Sequence, residues 1–179
     1  MKFNIDGASK GNSEDTSYDG VIRDDKGNIK VIFPCHLGNA ASNMVELMAI
    51  ENCLEILMDL NMHNAIIVAD FELTINSVKK IVNGSPPEKV SNHWRLLQVY
   101  HHIQSHLRIL RTLSFFHVHR NANRLADQLG NEGVLYKKDN SKCRWELASA
   151  GKLHEDYHIL ASAYREHYHS MKEKQQVGN

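Results

Sequence analysis

The sequence predicts an α/β fold in which helices flank a sheet, followed by a C-terminal helical extension. Three observations carry that prediction. Near the start, three strand-like segments follow one another, the last two across a strong turn signal. From Ser42 the apolar period changes to that of an amphipathic helix. A short, continuously apolar run, Ala65-Ile66-Ile67-Val68-Ala69, then ends in Asp70, as a strand buried on both faces would.

The opening stretch, Phe3 to Asn12, reads as a strand that delivers Asp6 to a glycine-rich bend. Phe3 and Ile5 alternate with Asn4 and Asp6, while Gly7 and Gly11 let the backbone turn closely around whatever Asp6 holds. An Asp-Gly pair also forms turns with no further role, so Asp6 gains meaning only with partners from elsewhere. Ser13-Glu14-Asp15-Thr16-Ser17 reads as a polar loop. Gly20 to Arg23 and Ile29 to Phe33 flank the turn Asp24-Asp25-Lys26-Gly27-Asn28, so three consecutive antiparallel strands are expected.

Leu47, Ile50, Cys53, Leu54, Leu57 and Met58 repeat at helical spacing up to about Asn61, with Ser42 or Asn43 able to cap the helix. A second helix is expected from Leu73 to Val82, stopped by Asn83-Gly84-Ser85-Pro86-Pro87. Trp94, Leu97, Tyr100, Ile103, Leu107 and Leu110 mark a third. Leu113 to Val118 supplies a fifth strand, and Asn121 or Asn123 caps a fourth helix with Asp127 near its N-terminal end. Beyond Lys137, Leu153, Tyr157, Leu160, Tyr164, Tyr168 and Met171 recur at helical spacing. That stripe either packs back on the domain or offers a Tyr-rich interface to a protein partner. The expected division is a domain over 1–136 and a helical C-terminal extension over 137–179.

A chain of 179 residues, 42% hydrophobic and 23% charged, suits one domain with an appendage. Lys and Arg number 21 and Asp and Glu 21, which excludes a large basic surface, so any nucleic-acid contact must be local. Twelve histidines make the charge sensitive to pH just below neutrality. Cys35, Cys53 and Cys143 are odd in number and widely spaced, which argues against a disulfide framework and a structural zinc site, and for a reducing, intracellular setting, nuclear or cytoplasmic. No stretch approaches the roughly 20 apolar residues that span a bilayer, and no membrane partner is expected.

Four acids occupy related kinds of position. Asp6 and Asp70 end or nearly end strands, Glu46 sits in the first turns of the helix between them, and Asp127 opens the last helix. Taken singly each has a simple account: a turn former, an exposed helix residue, a first-turn dipole partner. Converging at one sheet edge, they would repel one another unless divalent cations intervened. Hard oxygen ligands without a cysteine pair favour Mg²⁺ or Mn²⁺, and two such ions about 3.5 to 4 Å apart clamp an in-line phosphoryl displacement.

Asp6-Gly7-Ala8-Ser9-Lys10-Gly11-Asn12, Ser42-Asn43-Met44-Val45-Glu46-Leu47-Met48-Ala49, Val68-Ala69-Asp70, and His117 through Leu129 stand in an order and spacing that resembles the ribonuclease H family. The closest flavour is the plant ribonuclease H-like domain related to reverse-transcriptase elements. The resemblance covers roughly 1–136. It implies a ribonuclease H-like fold, a mixed five-stranded sheet of order 3-2-1-4-5 flanked by helices. It also implies cleavage of the RNA strand of RNA–DNA hybrids with two Mg²⁺ (or Mn²⁺) ions. The family's carboxylate set maps onto Asp6, Glu46, Asp70 and Asp127, with Asp6 bridging both ions. Gly11, Asn12 and Asn43 stand where the family approaches the sugar edge and minor groove. Arg120 and Asn123 belong to the last motif, with Arg120 placed to face a phosphate.

The sequence also departs from the pattern. Where the family continues with a Pro/Gly-rich segment and a Gly-Gly, this chain has Ser13 to Ser17 and Asp19-Gly20, and the added acids oppose a phosphate backbone. Phe71 replaces a small hydroxyl residue, His119 a proline, and the basic hybrid-binding module is missing. Two function classes follow: a Mg²⁺-dependent endoribonuclease, or a catalytically weak or inactive module acting through protein contacts. An exonuclease of the wider superfamily fits less well, because the Asp6 bend and the Arg120 to Asp127 motif favour the ribonuclease H branch. His117 and His119 flank a strand end, where either can shuttle a proton or simply fill alternate positions. His101, His102, His154 and His158 read as helix-surface residues.

Overall fold

The computed structural model describes residues 1–9, 16–33, 35–110, 112–123 and 146–147. Its strands are β1 (Lys2–Ser9), β2 (Thr16–Arg23), β3 (Ile29–Ile32), β4 (Cys35–Gly38), β5 (Asn64–Ala69), β6 (Thr112–His117) and β7 (Glu146–Leu147). Its helices are α1 (Ser42–Asp59), α2 (Glu72–Val82) and α3 (Trp94–Ile109), with single 3-10 turns at Pro87–Lys89 and Arg120–Ala122. The sheet runs β6-β5-β1-β2-β3-β7, with β4 also paired to β2. β1 is antiparallel to β2 and parallel to β5, and β5 is parallel to β6. Counting β3 and β4 as one interrupted strand, the expected order 3-2-1-4-5 is present.

The interruption was not foreseen. β3 takes the edge of β2 at Val21 to Arg23, and β4 takes the same edge at Thr16 to Tyr18. Thr16 to Asp19 therefore forms the first half of β2 rather than a polar loop and its continuation, and all eight β2 residues are buried. Their backbone groups are laddered by β1 on one side and β4 on the other, which pays for burying polar side chains in a strand of weak apolar pattern. Residues 13–15 of the expected acidic loop lie outside the described residues.

Apolar positions fill the layer between the sheet and the helices. Phe3, Ile5, Ile22, Phe33, Leu47, Ile50, Leu54, Leu57, Ile67, Ile75 and Ile103 are all essentially inaccessible. Alternation sends Phe3 and Ile5 towards α1 and leaves Asn4 and Asp6 on the opposite face. Gly20 lies opposite Ile5, and the Phe33 ring occupies the space where its side chain would be: a Cβ there would stand 1.9 Å from Phe33 Cζ. The hairpin after β2 is closed by Asp24, whose carboxylate accepts from the backbone of Lys26 and Asn28 and from the Asn28 side chain, and pairs with Lys30 at 3.3 Å. The Asn28 bond leads in lowering its pKa to about 2.

Local chemistry at the helix starts differs from expectation. Ala41, not Ser42 or Asn43, is the N-cap of α1, and no side chain caps it; Ser42 is the first helical residue. Phe71 is the N-cap of α2 and is buried in the core, so the helix trades a capping hydroxyl for packing and keeps Glu72 in its first turn. Cys35 is disulfide-bonded, against the expectation of unpaired thiols, while Cys53 is free and buried, and burial pushes its thiol well up. Glu146–Leu147 pairs with β3 as a short strand inside the expected helical extension. The rest of that extension, the fourth helix and Asp127 lie outside the described residues. Among the described residues, no helix is long and apolar enough to cross a membrane.

Replacing Gly20 with Ala forces the Phe33 ring aside and is expected to lower unfolding free energy by about 1–3 kcal/mol. Urea denaturation measures it; an unchanged midpoint would mean that the ring relocates freely.

Candidate active site

β1 and β5 pair with a constant offset, Lys2 with Ile66, Phe3 with Ile67 and Asn4 with Val68. Continuing that offset sets Asp6 beside Asp70 at the carboxyl ends of neighbouring parallel strands, where open α/β sheets collect their ligands. Asp6 is buried and Asp70 half-buried. Glu46 joins from the helix layer. A Cβ on Gly7 would stand 3.3 Å from the Glu46 backbone nitrogen and 3.3 Å from Val45 Cγ1, so a side chain here would push α1 back by a few tenths of an ångström.

The end of β1 is tied down by a residue far along the chain. The ladder with β5 sends the Met1 carbonyl to the Ile66 amide, and alternation turns the Ile5 carbonyl the same way, past the last pair. Asn123 Nδ2 donates to that Ile5 carbonyl at 2.7 Å, and Asn4 Nδ2 donates to Asn123 Oδ1 at 3.0 Å. Asn123 is 1% exposed and acts as a substitute ladder partner for β1; the helix it was expected to cap lies outside the described residues. It brings the turn Arg120–Ala122 to the face bearing Asn4 and Asp6. Arg120 is exposed in that turn, and Asn43 is exposed in the first turn of α1. Gly11, Asn12 and Asp127 lie outside the described residues.

Two features near the carboxylates were invisible in the sequence. Asp19 is directly opposite Asp6 across β1 and β2, and cross-strand partners project on the same face. It is fully buried on the face that Asp6 occupies, instead of facing a phosphate groove from a loop. Glu46 Oε2 accepts from Thr74 Oγ1 of α2 at 2.7 Å, and Oε1 accepts from Ser42 Oγ at 3.3 Å. Behind them burial raises the Tyr100 phenol above its usual pKa, a Ser77 hydrogen bond opposes the shift, and the charge of Glu46 adds to it. Tyr100 therefore stays protonated near neutrality. Pairings 13 positions apart, as Asp6 with Asp19, or 28, as Glu46 with Thr74, leave no periodic signal.

The histidines divide. His117, half-buried at the end of β6, and exposed His119 meet edge-to-face with centroids 6.0 Å apart. His101 pairs with Glu88 at 3.1 Å and His102 with Glu51 at 2.7 Å, fastening the surface of α3 to the preceding turn and to α1. A groove of about 320 Å³ lined by Ile81, Gly84, Leu107 and Leu113 opens at the opposite end of the strands from the carboxylates.

The donor set suits a hard divalent cation, because Asp6, Glu46 and Asp70 offer only oxygen. Among the described residues, no group of three or more His, Cys, Asp or Glu is already close enough to hold a metal ion. The three acids thus fit such an ion in chemistry and in placement at one sheet end, without forming a closed cage.

The family model described as reverse transcriptase-like matches residues 4–133. Among solved structures, ribonuclease H1 from the halophilic archaeon Halobacterium salinarum is 25% identical over 74% of this chain and 96% of its own, with a TM-score of 0.63. A ribonuclease H1 isolated from compost is 26% identical over 74% of this chain and 94% of its own, with a TM-score of 0.60. The same compost enzyme in complex with an RNA/DNA hybrid gives 24% identity, covering 74% of this chain and 95% of its own, with a TM-score of 0.61. No curated protein matches the sequence.

Asn123→Ala would leave the Ile5 carbonyl and the Asn4 amide without their partner, at an expected cost of about 1–3 kcal/mol. Thermal unfolding reads that loss, and a melting temperature equal to wild type would show that the bond is dispensable.

Proposed function

Because this chain belongs to the reverse transcriptase-like family and has a ribonuclease H-like domain, we propose that it is a divalent-metal-dependent endoribonuclease that cleaves the RNA strand of RNA–DNA hybrids. The observation that supports the reading is the shared sheet end: the β1–β5 offset, continued past its last pair, matches Asp6 with Asp70, and α1 packs against Gly7 at Glu46. The hybrid-bound compost ribonuclease H1 supports the choice of partner. The catalytic domain is 1–136, and 137–179 is an extension.

In this reading Asp6, Glu46 and Asp70 hold Mg²⁺ or Mn²⁺, with Asp127 as the fourth ligand. The bound cations would supply an activated water and charge stabilisation at the scissile phosphate. The chain's own residues do the positioning. Asn43, exposed at the start of α1, and Gly11 with Asn12 meet the sugar edge of the hybrid, where a 2′-hydroxyl distinguishes RNA. Arg120, exposed beside the Asn123 anchor, meets a phosphate and fixes register without reading sequence. With a balance of 21 basic and 21 acidic residues, affinity rests on these local contacts rather than on a long-range field.

Incubating the protein with a labelled hybrid and Mg²⁺ or Mn²⁺ tests the proposal. Wild type should cleave only the RNA strand, and Asp70→Asn should lose at least about two orders of magnitude in rate. Cleavage that survives Asp70→Asn unchanged, or none by wild type, would sink it.

A second reading is favoured by Asp19. A fully buried carboxylate opposite Asp6 raises the cost of a third negative group, the scissile phosphate, at this sheet end. Under that reading the domain is a weak or inactive nuclease that works through protein contacts of its C-terminal extension. Asp19→Gly is then expected to raise hybrid cleavage several-fold. An unchanged or lower rate would count against a damping role for Asp19.

A further inference from the structure

Thr74 is the third residue of α2, and the residue four positions back, Asp70, precedes the N-cap Phe71, so the helix offers the hydroxyl no carbonyl of its own one turn back. Thr74 Oγ1 donates across to Glu46 Oε2 on α1 at 2.7 Å. Thr74 is 6% exposed, so water competes little for the bond. The second contact to Glu46, from Ser42, is longer at 3.3 Å and exposed. The better bond thus comes from a different element, and it fixes the carboxylate relative to the sheet end rather than to its own helix.

The origin of that element matters. α2 begins at Glu72, two residues after Asp70, and Thr74 lies in its first turn. One short helix entry therefore carries the Asp70 carboxylate and the hydroxyl that orients Glu46. Tyr100, buried and hydrogen-bonded to Ser77, lies within electrostatic reach of Glu46. A glutamate side chain free on a helix samples several rotamers. Held firmly at Oε2 by Thr74, it presents Oε1, which carries only the longer, exposed Ser42 contact, in a set orientation.

We propose that Thr74 is a positioning residue that orients the Glu46 carboxylate for divalent cation binding and couples that orientation to Asp70 through the start of α2. The inference rests on the metal-dependent reading above. Partners of this kind change metal affinity by about 10- to 100-fold when removed.

The test uses the full chain, titrated with Mn²⁺ alone by calorimetry and assayed on the hybrid over a range of Mn²⁺. Thr74→Val keeps the shape and deletes the hydroxyl; Thr74→Ser keeps the hydroxyl. Thr74→Val is expected to weaken Mn²⁺ binding by about tenfold or more and to shift the Mn²⁺ requirement of cleavage upward by the same factor. Thr74→Ser should restore both. Should Thr74→Val fail to fold, Thr74→Cys supplies a similar shape with a poor donor for the same comparison. Wild-type Mn²⁺ affinity in the variant that lacks a good donor, or a Thr74→Ser affinity as weak as that of Thr74→Val, overturns the inference while the metal-dependent reading stands. A wild-type chain that takes up no Mn²⁺ overturns both.

Discussion

β1 continues past its parallel neighbour, and the site depends on what happens to its backbone there. The pairing with β5 stops at Asn4 and Val68, so the Ile5 carbonyl reaches the end of the sheet without a strand to receive it. An unpaired buried carbonyl costs roughly what a lost hydrogen bond does. Asn123 resolves this with one amide, and its other end takes the Asn4 side chain. The same two bonds keep β1 straight through Asp6 and bring the segment after β6 to the Asp6 face. Backbone satisfaction and site assembly are one event.

Close approach from the other layer is the matching constraint. α1 packs so near Gly7 that a Cβ there would stand 3.3 Å from the Glu46 nitrogen, and Glu46 is oriented from α2 through Thr74. Asp6 stands between a helix layer that contributes Glu46 and a sheet face that receives Asn123. The carboxylates are therefore assembled from separate elements, each held by a short-range contact, and small shifts of α1 or α2 would be felt at the site before they were felt in the core.

Asp19 gives the site its particular character. The sequence suggested that excess acid lay in a loop and would repel a phosphate backbone at the surface. The structure buries Asp19 within β2 in register with Asp6, where the dielectric is lower and like charges interact more strongly. Whatever this domain does with a nucleic acid, it does with one more carboxylate next to Asp6 than the Gly-Gly pattern of the family would place there.

Much of the architecture was legible in the residues because its signals are local. Helical spacing from Leu47 to Met58 located α1, the apolar run Ala65 to Ala69 located β5, and the four-motif order gave the strand order seen in the sheet. Asp6, Glu46 and Asp70 could be singled out because each sits at a recognisable strand end or helix start. Thr16 to Asp19 was misread because its polar side chains hide a strand whose stability comes from ladders on both edges. The cap of α1 differs from Ser42 or Asn43 because the helix begins one residue earlier than either would allow, with Ala41 as an N-cap that makes no side-chain bond. Thr74 with Glu46, Asn123 with Ile5, and Asp19 with Asp6 are pairings across the fold, fixed by register and by the offset between strands. A sequence alone determines which residues can ionise, turn or cap; which of them meet depends on the backbone geometry that burial selects.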